Sequence, residues 1–265
     1  MSDAVFLPEG SDRFLPTELA RGPWDPQAQH GGAPAALLAR GLERLDAARP
    51  MAIVRLTYEF LRPVPLVPLE LTTRVARNGS RVQRLEAALL AEGQEVCRAS
   101  ALRIRAEEIA APAPSPLAPA RGPQESAPIA MPAFERGPAM FARDAMEIRF
   151  AAGAFADVGP AFAWFRLRVP VLAGEEPTPL QRLAAAGDFG NGIATAVPWD
   201  SHVFINPDLT LYVERLPEGE WVGLDAQTRL TPAGAGVSDA VLFDERGRVG
   251  RAQQALYVAE RATST

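Results

Sequence analysis

The sequence predicts an α+β protein made of two tandem copies of one unit. Each unit is an antiparallel sheet wrapped around a single central helix, and the two sheets join edge to edge. Three observations lead there. First, the second half repeats the first without gaps at an offset of 153 residues: Leu56-Thr57 returns as Leu209-Thr210, Arg62 as Arg215, Leu71 as Leu224 and Val96 as Val249. Self-similarity at a fixed spacing means one structural unit made twice. Second, each copy reads as an alanine- and leucine-rich helical stretch followed by strand-like runs with short turns between them. Third, the copies are separated by a segment dense in Pro and Ala, a composition that cannot build a core of its own.

In the first copy the helix is expected over Ala33 to Leu45, with strands at Ile53–Leu61, Leu69–Arg77, Arg81–Ala91 and Glu95–Arg105. Leu56, Tyr58 and Phe60 alternate with Thr57 and Glu59, the period of a half-buried strand. Asn78-Gly79-Ser80 and Glu92-Gly93-Gln94 are turn signals and imply antiparallel hairpins. The second copy repeats this with a helix over Pro179–Asn191, proline standing at its start. Its strands are expected at Val203–Val213, Trp221–Leu230, Gly236–Phe243 and Val249–Val258, preceded by extra runs at Met146–Ala151 and Phe162–Val171. Residues 1–108 and 138–265 then form the two units, and 109–137 reads as an extended, stiff connector.

Composition narrows the function. The net charge of −5 argues against a general affinity for nucleic acid or anionic membrane. No apolar run approaches a membrane span and the N-terminus lacks a basic-then-apolar signal pattern, so a soluble cytoplasmic protein is expected. One cysteine, Cys97, excludes an internal disulfide, and with only two histidines a Cys/His zinc site is not expected. Every basic side chain is arginine; without lysine there is no Schiff-base chemistry. No glycine-rich phosphate loop follows a strand.

The motifs are more specific than the architecture. His30-Gly31-Gly32, leading into the first helix, resembles the His-Gly-Gly signature of acyl-CoA thioesterases, and Asp188-Phe189-Gly190-Asn191-Gly192 resembles the acidic helix motif of the same superfamily. From Phe14 to about Glu260 the chain is similar to the TesB-like thioesterases of double hotdog fold. The resemblance implies an acyl-CoA substrate, a role in fatty acid metabolism, and no cofactor beyond the coenzyme A of the substrate. It also implies a site of aspartate, glutamine and a Thr/Ser hydroxyl jointly holding a water. Asp188 and Gln254 fall on the first two positions; the third falls on Asn206, a departure from the pattern. A homodimer or higher homo-oligomer is expected by the same analogy.

Comparing the copies picks out the same residues. At the 153 offset Gln254 faces Ala101 and Asn206 faces Ile53; at the 149 offset of the helices Asp188 faces Ala39. Gln254 shares a strand face with Gly250, Ala252 and Leu256, so facing inward it needs partners or costs about 1–3 kcal/mol; the alternative turns Gln253 inward instead. Asp188 could equally end a helix in an ordinary turn, and Asn206 could be a strand-start asparagine. If the site forms, Asp188 takes a proton from a water held by Gln254 and Asn206. Substrate binding is expected at His30, Gly31 and Gly32, where the backbone N–H groups of Gly31 and Gly32 suit the developing oxyanion. Arg62, Arg74, Arg77, Arg81 and Arg84 are candidates for the coenzyme A phosphates. Two other readings stay open: a 2-enoyl thioester hydratase using Asp25 and His30, five residues apart, and a non-catalytic acyl-CoA binder.

Overall fold

The computed structural model describes residues 4–110, 117–131, 137–155 and 157–261. A short pair of strands, β1 (Phe6–Pro8) and β2 (Arg13–Pro16), precedes helix α1 (Gly32–Glu43). Strands β3 (Met51–Phe60), β4 (Leu69–Asn78), β5 (Val82–Ala91) and β6 (Gln94–Arg105) complete the first copy. Next come β7 (Ala127–Pro128), β8 (Met146–Ala152), β9 (Ala161–Leu167), α2 (Pro179–Gly187) and α3 (Gly190–Ile193). The chain ends with β10 (His202–Ile205), β11 (Asp208–Val213), β12 (Val222–Leu230), β13 (Ala235–Asp244) and β14 (Gly247–Glu260).

One continuous antiparallel sheet runs β1-β2-β4-β5-β6-β3-β11-β14-β13-β12-β9-β8-β7, with β10 added on β14. At its centre β3 pairs with β11, and Thr57 lies opposite Thr210, with Leu56 opposite Leu211 and Tyr58 opposite Leu209. Thr57 and Thr210 are separated by 153 residues, the repeat offset, and their hydroxyls lie 3.4 Å apart. An antiparallel pair that sets a repeat residue against its own counterpart carries a local two-fold axis. The strand order therefore reads outward alike on both sides, and the joint hides one exposed sheet edge per copy.

The two helices lie antiparallel against the concave face. The start of α1 abuts the end of α2, where a Cβ on Gly32 would come within 2.5 Å of the Ala185 carbonyl; only glycine permits that approach. At the other end the Thr178 hydroxyl, which caps α2, donates to Glu43 at 2.6 Å. Leu37, Leu38 and Leu42 of α1 are fully buried, each contributing about 1.5–3 kcal/mol.

Three expectations need correction. The strand expected over Val203–Val213 is two, broken at Asn206-Pro207. Proline brings no N–H to the ladder, and its carbonyl accepts from Phe60 N at 2.8 Å instead. The helix expected over Pro179–Asn191 breaks at Asp188-Phe189 into α2 and α3. The segment read as a free connector is in part packed. Its β7 pairs with β8, and the carbonyl of Arg121 accepts from Trp164 Nε1 at 2.9 Å on the convex face of the second sheet. Residues 111–116 and 132–136 of that segment lie outside the described residues.

Candidate active site

The end of α2 and the start of α1 meet on a cavity of about 540 Å³. Asp188 is the C-cap of α2, 5% exposed, and its carboxylate sits at the N-terminus of α1, where the helix dipole favours negative charge. A Cβ on Gly31 would lie 2.7 Å from Asp188 Oδ2 and 2.9 Å from the Phe60 ring, so glycine is needed here for the carboxylate to reach the helix start.

Gln254 faces inward, 2% exposed, while Gln253 faces out. Its Nε2 donates to Asp188 Oδ1 and to the Asp188 carbonyl, both at 3.2 Å. Its Oε1 accepts from Asn191 N at 3.1 Å, satisfying one of the first-turn donors that α3 leaves unpaired. Asn206, released from the ladder by the break at Pro207, donates from Nδ2 to Asp188 Oδ1 at 2.8 Å and to the Asp208 carbonyl at 3.1 Å. The three polar positions singled out by comparing the copies thus form one hydrogen-bonded group. Both amide NH₂ groups, however, are spent on acceptors of the protein and not left to hold a water.

His30 reaches the same carboxylate from the other copy, Nδ1 to Asp188 Oδ2 at 3.1 Å, and its ring stacks on Phe189 with centroids 4.4 Å apart. Gly32 N also lies 3.1 Å from this Nδ1. One ring nitrogen has a single in-plane position, so it donates to Asp188 in one protonation state and accepts from Gly32 in the other. The Gly31 N–H has no hydrogen-bond partner among the described residues and lines the cavity.

The walls of the cavity are apolar. Ile129 and Met131 of the connector, Met140 of the turn before β8, and Ile148 of β8 form part of it; Trp24, Trp199 and Phe204 form another. Trp24 and Trp199 stack at 4.8 Å with Phe204 edge-on to both. Of the arginines named for phosphate, only Arg62 lines the cavity; Arg74 is paired with Glu86, and Arg77, Arg81 and Arg84 are exposed on or beside β4 and β5. Sequence reasoning passed over Arg261, whose guanidinium lies over the Trp24 ring at 5.4 Å, and Asn191.

Asp25 does not pair with His30. It is exposed and accepts from Gln27 N at 2.8 Å in a local turn, so the Asp–His spacing that favoured a hydratase is the geometry of a loop. Cys97 is fully buried, and burial, with the Asp188 charge adding to it, pushes its thiol up and away from nucleophilic use. Among the described residues no cluster of three or more His, Cys, Asp or Glu could hold a metal ion, and no helix is long and apolar enough to cross a membrane.

Solved structures share this architecture along nearly the whole chain. A hot dog fold protein from Alicyclobacillus acidocaldarius superposes with a TM-score of 0.75 at 15% identity, covering 99% of this chain and 98% of its own. A protein provisionally called thioesterase II, from Thermobifida fusca, gives 0.73 at 19%, covering 97% and 96%. An acyl-CoA thioesterase II from Mycobacterium marinum gives 0.65 at 17%, covering 94% and 98%. At these identities the likeness establishes the fold, a double hotdog. No curated protein matches the chain in sequence. Family models decide the rest: residues 20–104 match the N-terminal domain of acyl-CoA thioesterases and residues 116–258 the C-terminal domain. The chain belongs to the acyl-CoA thioesterase family and is a thioester hydrolase.

Proposed function

We propose that the protein hydrolyses an acyl-CoA to the free acid and coenzyme A, with Asp188 activating the water. The observation that carries this reading is the position of one carboxylate. Asp188 is buried at a helix N-terminus on an apolar cavity and held by groups from both copies.

Counting acceptor positions says which oxygen works. A carboxylate offers about two lone-pair sites per oxygen. Both sites of Oδ1 are filled by Asn206 and Gln254, and one site of Oδ2 faces His30. The remaining site on Oδ2 is the base. A water there gives its proton to Asp188 as its oxygen bonds to the thioester carbon. The carbonyl oxygen becomes an oxyanion beside the Gly31 N–H and the positive end of α1. Collapse breaks the carbon–sulfur bond, and the departing thiolate takes the proton back from Asp188. Atoms balance with water as the only co-reactant. Gln254 and Asn206 keep the base oriented by donating to its Oδ1.

A panel of saturated acyl-CoAs with a thiol-detecting reagent tests this. Thiol release that falls about 10³-fold or more in Asp188→Asn is the expected result. Release unaffected by that change would remove the proposed base. Saturable binding with no release by the wild type would leave a binder in place of an enzyme.

A further inference from the structure

We infer that Asn191 is the residue that holds the attacking water, and that Gln254 and Asn206 act on Asp188 alone. The inference rests on the Asp188-activated hydrolysis proposed above and gives a catalytic role to a residue that the acidic helix motif contains but for which the sequence named no role.

The argument follows hydrogen-bond direction outward from the carboxylate. An ionised Asp188 only accepts, so the Asn206 side chain must turn its Nδ2 toward Oδ1, as it does at 2.8 Å. Its Oδ1 then points the other way, at the Asn191 side chain, and only a donor can meet it there. Asn191 accordingly presents Nδ2, at 3.5 Å. The same logic runs through Gln254, whose Nε2 faces Asp188 and whose Oε1 accepts from the Asn191 backbone N–H at 3.1 Å. Two chains of oriented amides leave Asp188 and converge on Asn191. The Gln254 chain holds the Asn191 backbone, and the Asn206 chain turns the Asn191 amide so that Oδ1 is the end left over.

That oxygen has no hydrogen-bond partner among the described residues, and Asn191 lines the cavity although the residue is buried. It stands three residues after Asp188, across the tight turn at Asp188-Phe189 that joins α2 to α3. A water donating one hydrogen to Asp188 Oδ2 and the other to Asn191 Oδ1 turns a lone pair outward to the thioester carbon. Asp188 takes the first proton; Asn191 only accepts a hydrogen bond and undergoes no net change. An amide oxygen thereby replaces the hydroxyl that the chain lacks at Asn206.

The test uses the full chain and whichever saturated acyl-CoA it cleaves fastest, with Asp188→Asn beside Asn191→Ala and Asn191→Asp. Asn191→Ala is expected to lower kcat about 10–100-fold with KM within about twofold and unchanged binding of the matching non-hydrolysable thioether analogue. Asn191→Asp, equal in size, puts a second carboxylate beside the base and should move the acid limb of kcat/KM up by about one pH unit or more. Retention of wild-type kcat in Asn191→Ala, while Asp188→Asn is inactive, would overturn this assignment and leave the base in place. If Asn191→Ala does not fold, an unmoved pH limb in Asn191→Asp overturns it equally. An active Asp188→Asn would instead overturn the hydrolytic reading beneath both.

Discussion

The two ends of the antiparallel helix pair are related by the local two-fold, yet one opens on a cavity and the other is locked. At the open end Asp188, the C-cap of α2, meets the start of α1. At the locked end the last residue of α1, Glu43, meets the start of α2 and accepts from Thr178. Both carboxylates sit at a helix N-terminus, so the shared geometry is electrostatically sound twice over. What differs is the surroundings. At the locked end the loop before α2 sends Glu175 onto Arg40 in a bidentate pair at 2.7 Å, with Arg44 added at 2.8 Å. Strand β1 then stitches alongside, Phe6 N to Val171 O at 2.9 Å and Val5 N to Pro170 O at 3.0 Å. At the open end the loop before α1 stands away and carries Trp24 to the cavity rim. A duplicated unit thus supplies two places for a carboxylate, and packing alone decides which one substrate can reach.

The sharpest way to break this comparison is to move the carboxylate. Ala39, the repeat counterpart of Asp188, is fully buried, and Ala39→Asp would place a charge there without the partners of the open end. Urea unfolding should show a loss of about 3–5 kcal/mol, and Ala39→Asp combined with Asp188→Asn should show no hydrolysis. Recovered turnover in the double variant would mean that the locked end is accessible.

A smaller effect is expected where the helices touch. Gly32→Ala drives a methyl into the Ala185 carbonyl and should cost about 1–3 kcal/mol by the same measurement, since backbone must shift to admit it. On β14, Gln254→Ala should lower kcat about 10–100-fold, whereas Gln253→Ala, on the exposed face, should change kcat by less than about twofold. Equal effects would mean that the strand, not the inward amide, is what matters.

The mildest prediction concerns acid. The hydrogen bond from Arg40, with burial opposing it, holds the Glu175 carboxyl below the usual carboxylate range of about 4.5. A depressed folded-state value contributes stability above the unfolded value, and that contribution is lost as pH falls through the folded one. Arg40→Met should therefore lower Tm at pH 7 by a few degrees, and the gap from wild type should close as the pH drops well below 4. A gap that persists at low pH would assign the loss to packing on Phe14, over whose ring the guanidinium lies at 5.3 Å.

Much of the candidate site was legible by subtraction, because a buried or half-buried position that is polar in one copy and apolar in the other needs a reason. Asp188 over Ala39, Asn206 over Ile53 and Gln254 over Ala101 passed that filter. Asn191 stands over Leu42 at the same 149 offset, so the signal existed. Asn191 escaped because Asp-Phe-Gly-Asn-Gly reads locally as a turn, in which asparagine and glycine are ordinary. The break between β10 and β11 escaped because one proline inside an alternating run does not say which strand edge it faces. The arginines failed as a group because clustering in sequence along β4 and β5 places side chains on an exposed sheet face, not on the cavity rim.

The sequence by itself determined the unit and its duplication; the register at the joint, which sets Thr57 against Thr210, came from the structure, because a two-fold fixes the symmetry of the pairing and not the position of its axis. The sequence also determined which copy carries the polar residues. Only the tertiary structure decided what those residues bond to. Asn206 and Gln254 lie 18 and 66 positions from Asp188, and His30 comes from the other copy, so their meeting depends on sheet curvature and helix contact. Hydrogen-bond direction, which leaves one amide oxygen of Asn191 unspent, exists only once those donors and acceptors are brought together.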